Sequence, residues 1–305
     1  MNWEQLSFLG DTREPAKKEK IKTVISASRR TDIPAFHYEW LQDALKKKAA
    51  EITNPVFPSK IYKVDLSPEN VHSIVLWSKD FRKVARDPGL LSSYNLYFEY
   101  TINHYGRLLE PNVPGYDSTQ KTLELLLKRY RPEQFNIRFD PVIISTKGEP
   151  IPAPEDPPRA RLKVFEQLCR DIKCLALEKC RVTTSYISFY GHVQDRLRRC
   201  GVDAVNLDEK EKTEFFERLA EIADKYTVNL YSCANPLLES VKGIKAGHCI
   251  DGSLLMSLFG GKVSLQKDKG QRTDCKCTLS KDIGSYSNSG NAMECRHYCR
   301  YCYVR

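Results

Sequence analysis

Up to about residue 248 the sequence alternates strand-like and helix-like runs, and that alternation restricts the fold more than any other feature. "KTVISASRR" is apolar and β-branched; "AFHYEWLQDALKKK", which follows it, spaces its apolar residues as a helix does. "SIVLWSKD", "YNLYFEYTINHYG", "FNIRFDPVII", "RVTTSYISFYG" and "TVNLYSCAN" read as further strands. Gly106 ends the second of these, and Pro141 ends the third or marks it as an edge. "FRKVARDPG", "STQKTLELLLKRY", "RARLKVFEQLCRDIKCLALEKC" and "DEKEKTEFFERLAEIADKY" read as helices, the second capped by Ser118 or Thr119. Strands that mostly precede helices predict a parallel sheet. No G-x-G-x-x-G follows the first strand, so nothing favours a dinucleotide-binding fold. The expectation is an α/β chain forming a parallel βα barrel, full or partial and TIM-like.

The pattern changes at about residue 249. The rest of the chain is rich in Gly, Ser, Cys and charge, and only "GSLLMSLFG" looks regular. Too few apolar residues remain for a separate core, so this segment must dock on the barrel or be ordered by a metal. The expected organisation is an N-terminal arm over 1–20, a barrel over 21–248, and a Cys-rich segment over 249–305 folded back on the barrel mouth. At 305 residues the chain can bury a large core without disulfide staples. Its polar N-terminus lacks the apolar stretch of a signal peptide. No run approaches the roughly 20 apolar residues of a membrane helix. A cytoplasmic location with no membrane partner is expected. The net charge of +9 suits nucleic acid or another anionic ligand, although scattered lysines also describe an ordinary solvated surface.

In parallel barrels the active site forms at the C-terminal ends of the strands. Here those ends carry Arg29, Arg30 and Asp32 in "SRRTD", then Lys79, then Arg138 and Asp140, then Tyr190. Loops are polar in any protein, so each residue alone also fits plain surface. Paired arginines directly after an apolar strand nevertheless suit a carboxylate or phosphate on a substrate.

The chain has 11 cysteines and no export signal, and thiols in a reducing compartment bind metal or do chemistry more often than they form disulfides. Cys169, Cys174, Cys180 and Cys200 lie in or beside helical patterns and read as small core or surface residues. The other seven all follow position 230. Cys295, Cys299 and Cys302, spaced C-x3-C-x2-C, can wrap one compact inorganic centre. A structural zinc would need a fourth ligand, and His297, between two of the cysteines, is poorly placed to be it. An iron–sulfur cluster held by three thiolates keeps one iron open. Zinc or another role remains the alternative. Cys233, Cys249, Cys275 and Cys277 are enough for a second [4Fe-4S] cluster, for a structural zinc, or are unpaired thiols.

With Tyr301 as its aromatic, the C-x3-C-x-aromatic-C motif resembles the signature of the radical S-adenosylmethionine superfamily, and "YCY" resembles its spore photoproduct lyase branch. The resemblance implies a full or partial βα barrel and a [4Fe-4S] cluster on the three cysteines. It implies S-adenosylmethionine chelated by the free iron, its reductive cleavage to a deoxyadenosyl radical, and an electron donor such as ferredoxin or flavodoxin. Tyr301, Asp282 and Arg272 are the candidates for contact with that cofactor. Over its whole length the chain resembles an uncharacterised bacterial domain-of-unknown-function family, through "ISASRRTDIPAFH", "NPVFPSKIYKVDLSPENVHSIVLWSKD", "YSCAN", "CIDG" and "KDKGQRTDCKCTLSKDIGSY". Superfamily members usually carry the motif after the first strand, whereas here that loop is "SRRTDIP"; a permuted arrangement reconciles the two. No Gly-Gly-Glu stretch for the methionine amino group is evident. The expected function is a radical enzyme acting on an unidentified anionic substrate, small or nucleic acid. The alternatives are a nucleic-acid-modifying radical enzyme, a non-catalytic iron–sulfur redox or electron-transfer protein, and a zinc-stabilised binding protein.

Overall fold

The computed structural model describes residues 19–53, 57, 60–150, 156–286 and 293–304; most of the arm expected over 1–20 lies outside the described residues. In chain order the first elements are β1 (Thr23–Ala27), α1 (Ile33–Phe36), α2 (Tyr38–Lys46), β2 (Ala49–Thr53), β3 (Ile61–Asp65), β4 (Val71–Ser78) and α3 (Arg82–Arg86). Next come β5 (Leu96–Thr101), α4 (Tyr116–Leu127), β6 (Phe135–Val142), β7 (Ile144–Ser145), α5 (Pro157–Cys174), β8 (Arg181–Tyr186) and α6 (Gly191–Arg199). The last are β9 (Ala204–Val205), α7 (Glu209–Lys225), β10 (Asn229–Cys233), α8 (Pro236–Glu239), β11 (Lys245–Gly247), α9 (Gly252–Phe259) and β12 (Lys281–Asp282).

Eight strands form one parallel sheet in the order β11-β10-β8-β6-β5-β4-β1-β12. Side chains alternate across a strand, and each strand sorts its residues between two unlike faces. Ile25, Leu76, Phe98, Phe135, Ile137 and Val182 face one core, which also takes Leu41, Leu126, Phe165, Leu168 and Phe216 from the helices. Val24, Val75 and Tyr97 face a second, smaller core completed by Cys249, Ile250, Leu255, Val263, Cys275 and Cys277. Helices thus cover one face, while α9 and the Cys-rich segment cover the other. This is the partial form of the expected barrel: among the described residues no hydrogen bonds between β11 and β12 close it.

The Cys-rich segment does fold back onto the sheet. β12 pairs with β1, placing Lys281 opposite Ile25 and Asp282 opposite Ser26. Asp282 clamps the joint by accepting from Ser26 Oγ at 2.7 Å, Ser28 Oγ at 2.6 Å, Arg29 N at 2.9 Å and Gly284 N at 3.0 Å. Such a network draws its order from packing against the sheet, since the segment itself has little regular structure.

Three local expectations are corrected. Pro141 neither ends β6 nor lies on an edge strand: β6 runs through it between β5 and β8, and the ladder with β8 skips from Phe139 to Val142, which spares the missing N–H. The cap of α4 is Gly115, and Thr119 sits inside the first turn, its hydroxyl donating to Gly115 O at 3.2 Å. The antiparallel β2–β3 hairpin was not anticipated, because β3 is almost wholly exposed and carries no buried alternation. Among the described residues no helix is long and apolar enough to cross a membrane.

Candidate functional site

The loop with Cys295, Cys299 and Cys302 lies across the C-terminal ends of the strands, and Asp32, just after β1, is its main anchor. The Asp32 carboxylate caps α1 through Ala35 N at 3.0 Å, and accepts from Ser78 Oγ at 2.7 Å and Lys79 N at 2.9 Å at the end of β4. His297 Nε2 donates to the same carboxylate at 2.7 Å, and both groups are buried. Beside them Lys79 Nζ donates to Glu110 Oε1 at 2.7 Å and to the Tyr301 hydroxyl at 2.9 Å. Asn103 Nδ2 donates to that hydroxyl at 2.9 Å, and the hydroxyl in turn donates to Glu110. Burial works against both charges of the Lys79–Glu110 pair, but their partners together outweigh it: Lys79 and Tyr301 hold the carboxyl below its usual range, and Glu110 and Cys299 hold the ammonium above.

Backbone contacts finish the anchoring. Asn112 Nδ2 donates to Arg296 O at 2.8 Å, Arg300 N to Leu109 O at 2.9 Å, and an Arg196 guanidinium N–H to Cys302 O at 2.7 Å. Cys299 is buried, Cys295 and Cys302 half-buried, and each lies within electrostatic reach of the others. Burial pushes the Cys295 thiol up to about 11 and Cys299 higher still, with Lys79 the opposing cation at Cys299. A cluster or metal would supply the positive charge these thiolates lack. His297 is not available as a fourth ligand, because Asp32 holds its Nε2 and its Nδ1 lies 3.3 Å from Asn112 O. The donor set fits a centre that takes three protein thiolates.

The second sulfur group sits on the inner face of the sheet. Cys233 ends β10, and Cys249 follows β11, its parallel neighbour. Their sulfurs are 3.2 Å apart. Cys277 hydrogen-bonds to Cys249 and to Cys275, so the four thiols form a continuous line. Hydrogen bonds from Cys233 and Cys277, with the nearby Arg138 charge, pull the Cys249 thiol well below its usual range against burial. Arg138 donates to Cys249 Sγ at 2.8 Å, and the Cys277 hydrogen bond brings Cys275 down to about 6. Among the described residues no group of three or more His, Cys, Asp or Glu side chains is arranged to hold a single metal ion.

The other sequence-derived candidates fall around these two groups. Arg138 also binds Glu99 at 3.1 Å and Asp140, which accepts from Ser185 Oγ. Arg29 reaches Ser280 Oγ at 2.8 Å and Asp268 at 3.5 Å, and lies within electrostatic reach of Cys277. Arg29 and Arg138 both stand over the Trp77 ring, at 5.9 and 5.1 Å. Arg30 donates to Gly284 O at 3.0 Å and stands over Tyr286. Tyr190 precedes α6, exposed and stacked on His192, whose Nε2 donates to Tyr303 O at 3.1 Å. Arg272 is exposed on the loop before Cys275. Asp282 and Tyr301 are committed to the internal networks above. Cys169 and Cys180 are buried in the helical core, Cys174 is exposed and Cys200 is half-buried.

Glu110, Glu99 and Tyr303 were missed by sequence reasoning. Glu110 lies in "RLLEPN", where nothing in the pattern sets it apart. Glu99 alternates with the apolar residues of β5 and reads there as a surface position. Tyr303 is 60% exposed, yet burial raises its phenol to about 12. Tyr286, Cys302, Arg272 and Arg138 are within electrostatic reach of it, so residues beside both sulfur groups lie near this phenol.

No curated protein matches the chain. Among solved structures it is similar to a spore photoproduct lyase double mutant with bound AdoMet and dinucleoside spore photoproduct, at 13% identity and a TM-score of 0.42. That similarity covers 70% of this chain and 61% of the other, so the chain spans about three-fifths of its neighbour's length. A family model described as a domain of unknown function, DUF1848, matches residues 24–304. The match runs from β1 to the last cysteine of the terminal loop, and the chain belongs to the DUF1848 family.

Proposed function

We propose that this protein is a radical S-adenosylmethionine-type iron–sulfur enzyme acting on an anionic substrate. One observation carries the reading: a three-thiol loop is seated on the ends of parallel strands, and its one internal candidate for a fourth ligand, His297, is tied to Asp32. Cys295, Cys299 and Cys302 would hold a [4Fe-4S] cluster, which would supply an iron open to S-adenosylmethionine and one-electron reducing chemistry. Lys79 offsets the charge at Cys299, and Glu110 with Tyr301 keeps Lys79 in place. Arg138 and Arg272, both within electrostatic reach of Tyr303 beside the terminal loop, would meet the anionic substrate.

Anaerobic reconstitution with iron and sulfide, followed by electron paramagnetic resonance of the reduced protein, tests this. A spectrum that changes on adding S-adenosylmethionine is expected, and Cys299→Ala should abolish the change. Absence of iron uptake sinks the reading. A spectrum indifferent to S-adenosylmethionine would instead favour an electron-carrying protein.

A groove favours a second reading, in which the substrate is nucleic acid. It spans about 430 Å³ between the β2–β3 hairpin and the β1–β12 edge, and its lining sets Arg30, Lys63, Lys281 and the half-exposed ring of Tyr62 against the carboxylates of Asp65 and Asp282. Cations beside an aromatic face suit a single strand. Binding to a single-stranded oligonucleotide that weakens steeply with salt is expected, and no affinity at low salt ends this reading.

A further inference from the structure

We infer that Cys233, Cys249, Cys275 and Cys277 hold a second [4Fe-4S] cluster, one in which every iron is bound by protein. This does not rest on the reading of the terminal loop. The four residues come from three separate places in the chain, and the fold brings all their sulfurs into one line on the inner face of the sheet.

Zinc is the competing occupant, and the sulfur spacing alone does not choose between the two. Thiolates on one tetrahedral zinc stand about 3.8 Å apart, from bonds of about 2.3 Å. Here Cys233 and Cys249 are closer, at 3.2 Å, and no three of the thiols surround a common point. A cluster binds each sulfur through a different iron and so holds them farther apart than zinc does; the line must open for either occupant, and more for a cluster. Cys233 is held in the ladder of β10 opposite Gly247 of β11, and Cys249 follows two residues after that strand. Cys275 and Cys277 ride on a loop whose residues 265–267, 269–270 and 272–274 are exposed. Their C-x-C spacing lets the two thiols move together.

The surroundings suit an anion. A [4Fe-4S] centre with four thiolates is negatively charged, and hydrogen bonds to its sulfurs help set its potential. Arg138 already donates to Cys249 Sγ at 2.8 Å. Among the described residues Arg29 Nε and Trp77 Nε1 are buried N–H donors with no acceptor. Arg29 lies within electrostatic reach of Cys277 and Cys249, and Trp77 packs into the same small core as Cys249, Cys275 and Cys277. Buried donors without partners are rare in a finished site; inorganic sulfide is an acceptor that would satisfy them.

The test uses the full chain with the terminal loop disabled, Cys295→Ala, Cys299→Ala and Cys302→Ala together. After anaerobic reconstitution this variant should keep about four iron and four sulfide per chain. Its reduced spectrum should ignore S-adenosylmethionine. Adding Cys275→Ser and Cys277→Ser, both outside the sheet strands, should remove that iron while circular dichroism stays native. Loss of all iron in the triple variant overturns the second cluster and leaves the terminal-loop reading standing. Retention of the wild-type iron content sustains the second cluster and removes the first. About one zinc and no iron in the triple variant also overturns the inference.

Discussion

Glu99 and Glu110 are both fully buried carboxylates, each beside a sulfur group, yet their affinities for a proton move in opposite directions. Glu110, under the terminal loop, is held below its usual range because Lys79 and Tyr301 serve it directly. Glu99, on the inner face of the sheet, is pushed up to about 8 by burial and by the negative charge at Cys249. The difference lies in how the cation is shared. Lys79 answers chiefly to Glu110, whereas Arg138 is divided among Glu99, Asp140 and Cys249. Depth alone therefore does not set the charge state of a buried acid; the number of claims on its partner does. The Lys79–Glu110 pair is matched one to one, whereas the cation of the inner face is contested.

The sharpest way to break this contrast is Glu110→Gln. It strands a buried ammonium, and losing one partner of a buried pair costs about 3–5 kcal/mol. Chemical denaturation should show that loss; a change under about 1 kcal/mol would mean that water reaches Lys79. The same variant should lose an acid limb. A carboxyl with a lowered folded pKa stabilises above its unfolded value near 4.5, and that stability disappears as pH falls through the folded value.

Glu99 predicts the opposite slope. Its folded pKa is raised, so between pH 4.5 and about 8 the unfolded chain has released a proton that the folded protein still holds. The wild type should lose stability across that window, on the order of 3 kcal/mol, and Glu99→Gln should flatten the loss. Urea midpoints at the two ends of the window decide it; parallel curves for wild type and variant refute it. The smallest effect is expected from His297→Ala, about 1 kcal/mol, because Asp32 keeps three other donors. Iron bound at the terminal loop should be unchanged in this variant; its loss would make His297 a ligand.

The sheet was legible because its buried strands are long β-branched or aromatic runs such as "SIVLW" and "YNLYFEY", each answered by a helix. The hairpin was not, because Ile61, Tyr62 and Lys63 are exposed and leave no buried face to detect. Reading the strand ends singled out Asp32, Lys79 and Arg138, and the fold sets each of them in an internal network. A polar residue at a strand end looks the same in sequence whether it meets a substrate or, as with Lys79, a glutamate 31 positions away. Glu110 and Glu99 were invisible for that reason: each takes its meaning from a partner brought close only by the fold.

The clamp of β12 on β1 has a consequence for how the molecule breathes. Ser26 and Asp282, which close it, stand 256 positions apart. Closing a loop of that length costs roughly 5 kcal/mol in chain entropy, and β12 offers only two paired residues to offset it. This corner should therefore exchange its amide hydrogens by local opening long before the central strands do. In sequence β12 lies between Cys277 and Cys295, so one such opening loosens ligand-bearing chain on both sides at once. The two sulfur sites then share a single weakest point, and whatever frees that short strand puts both at risk together.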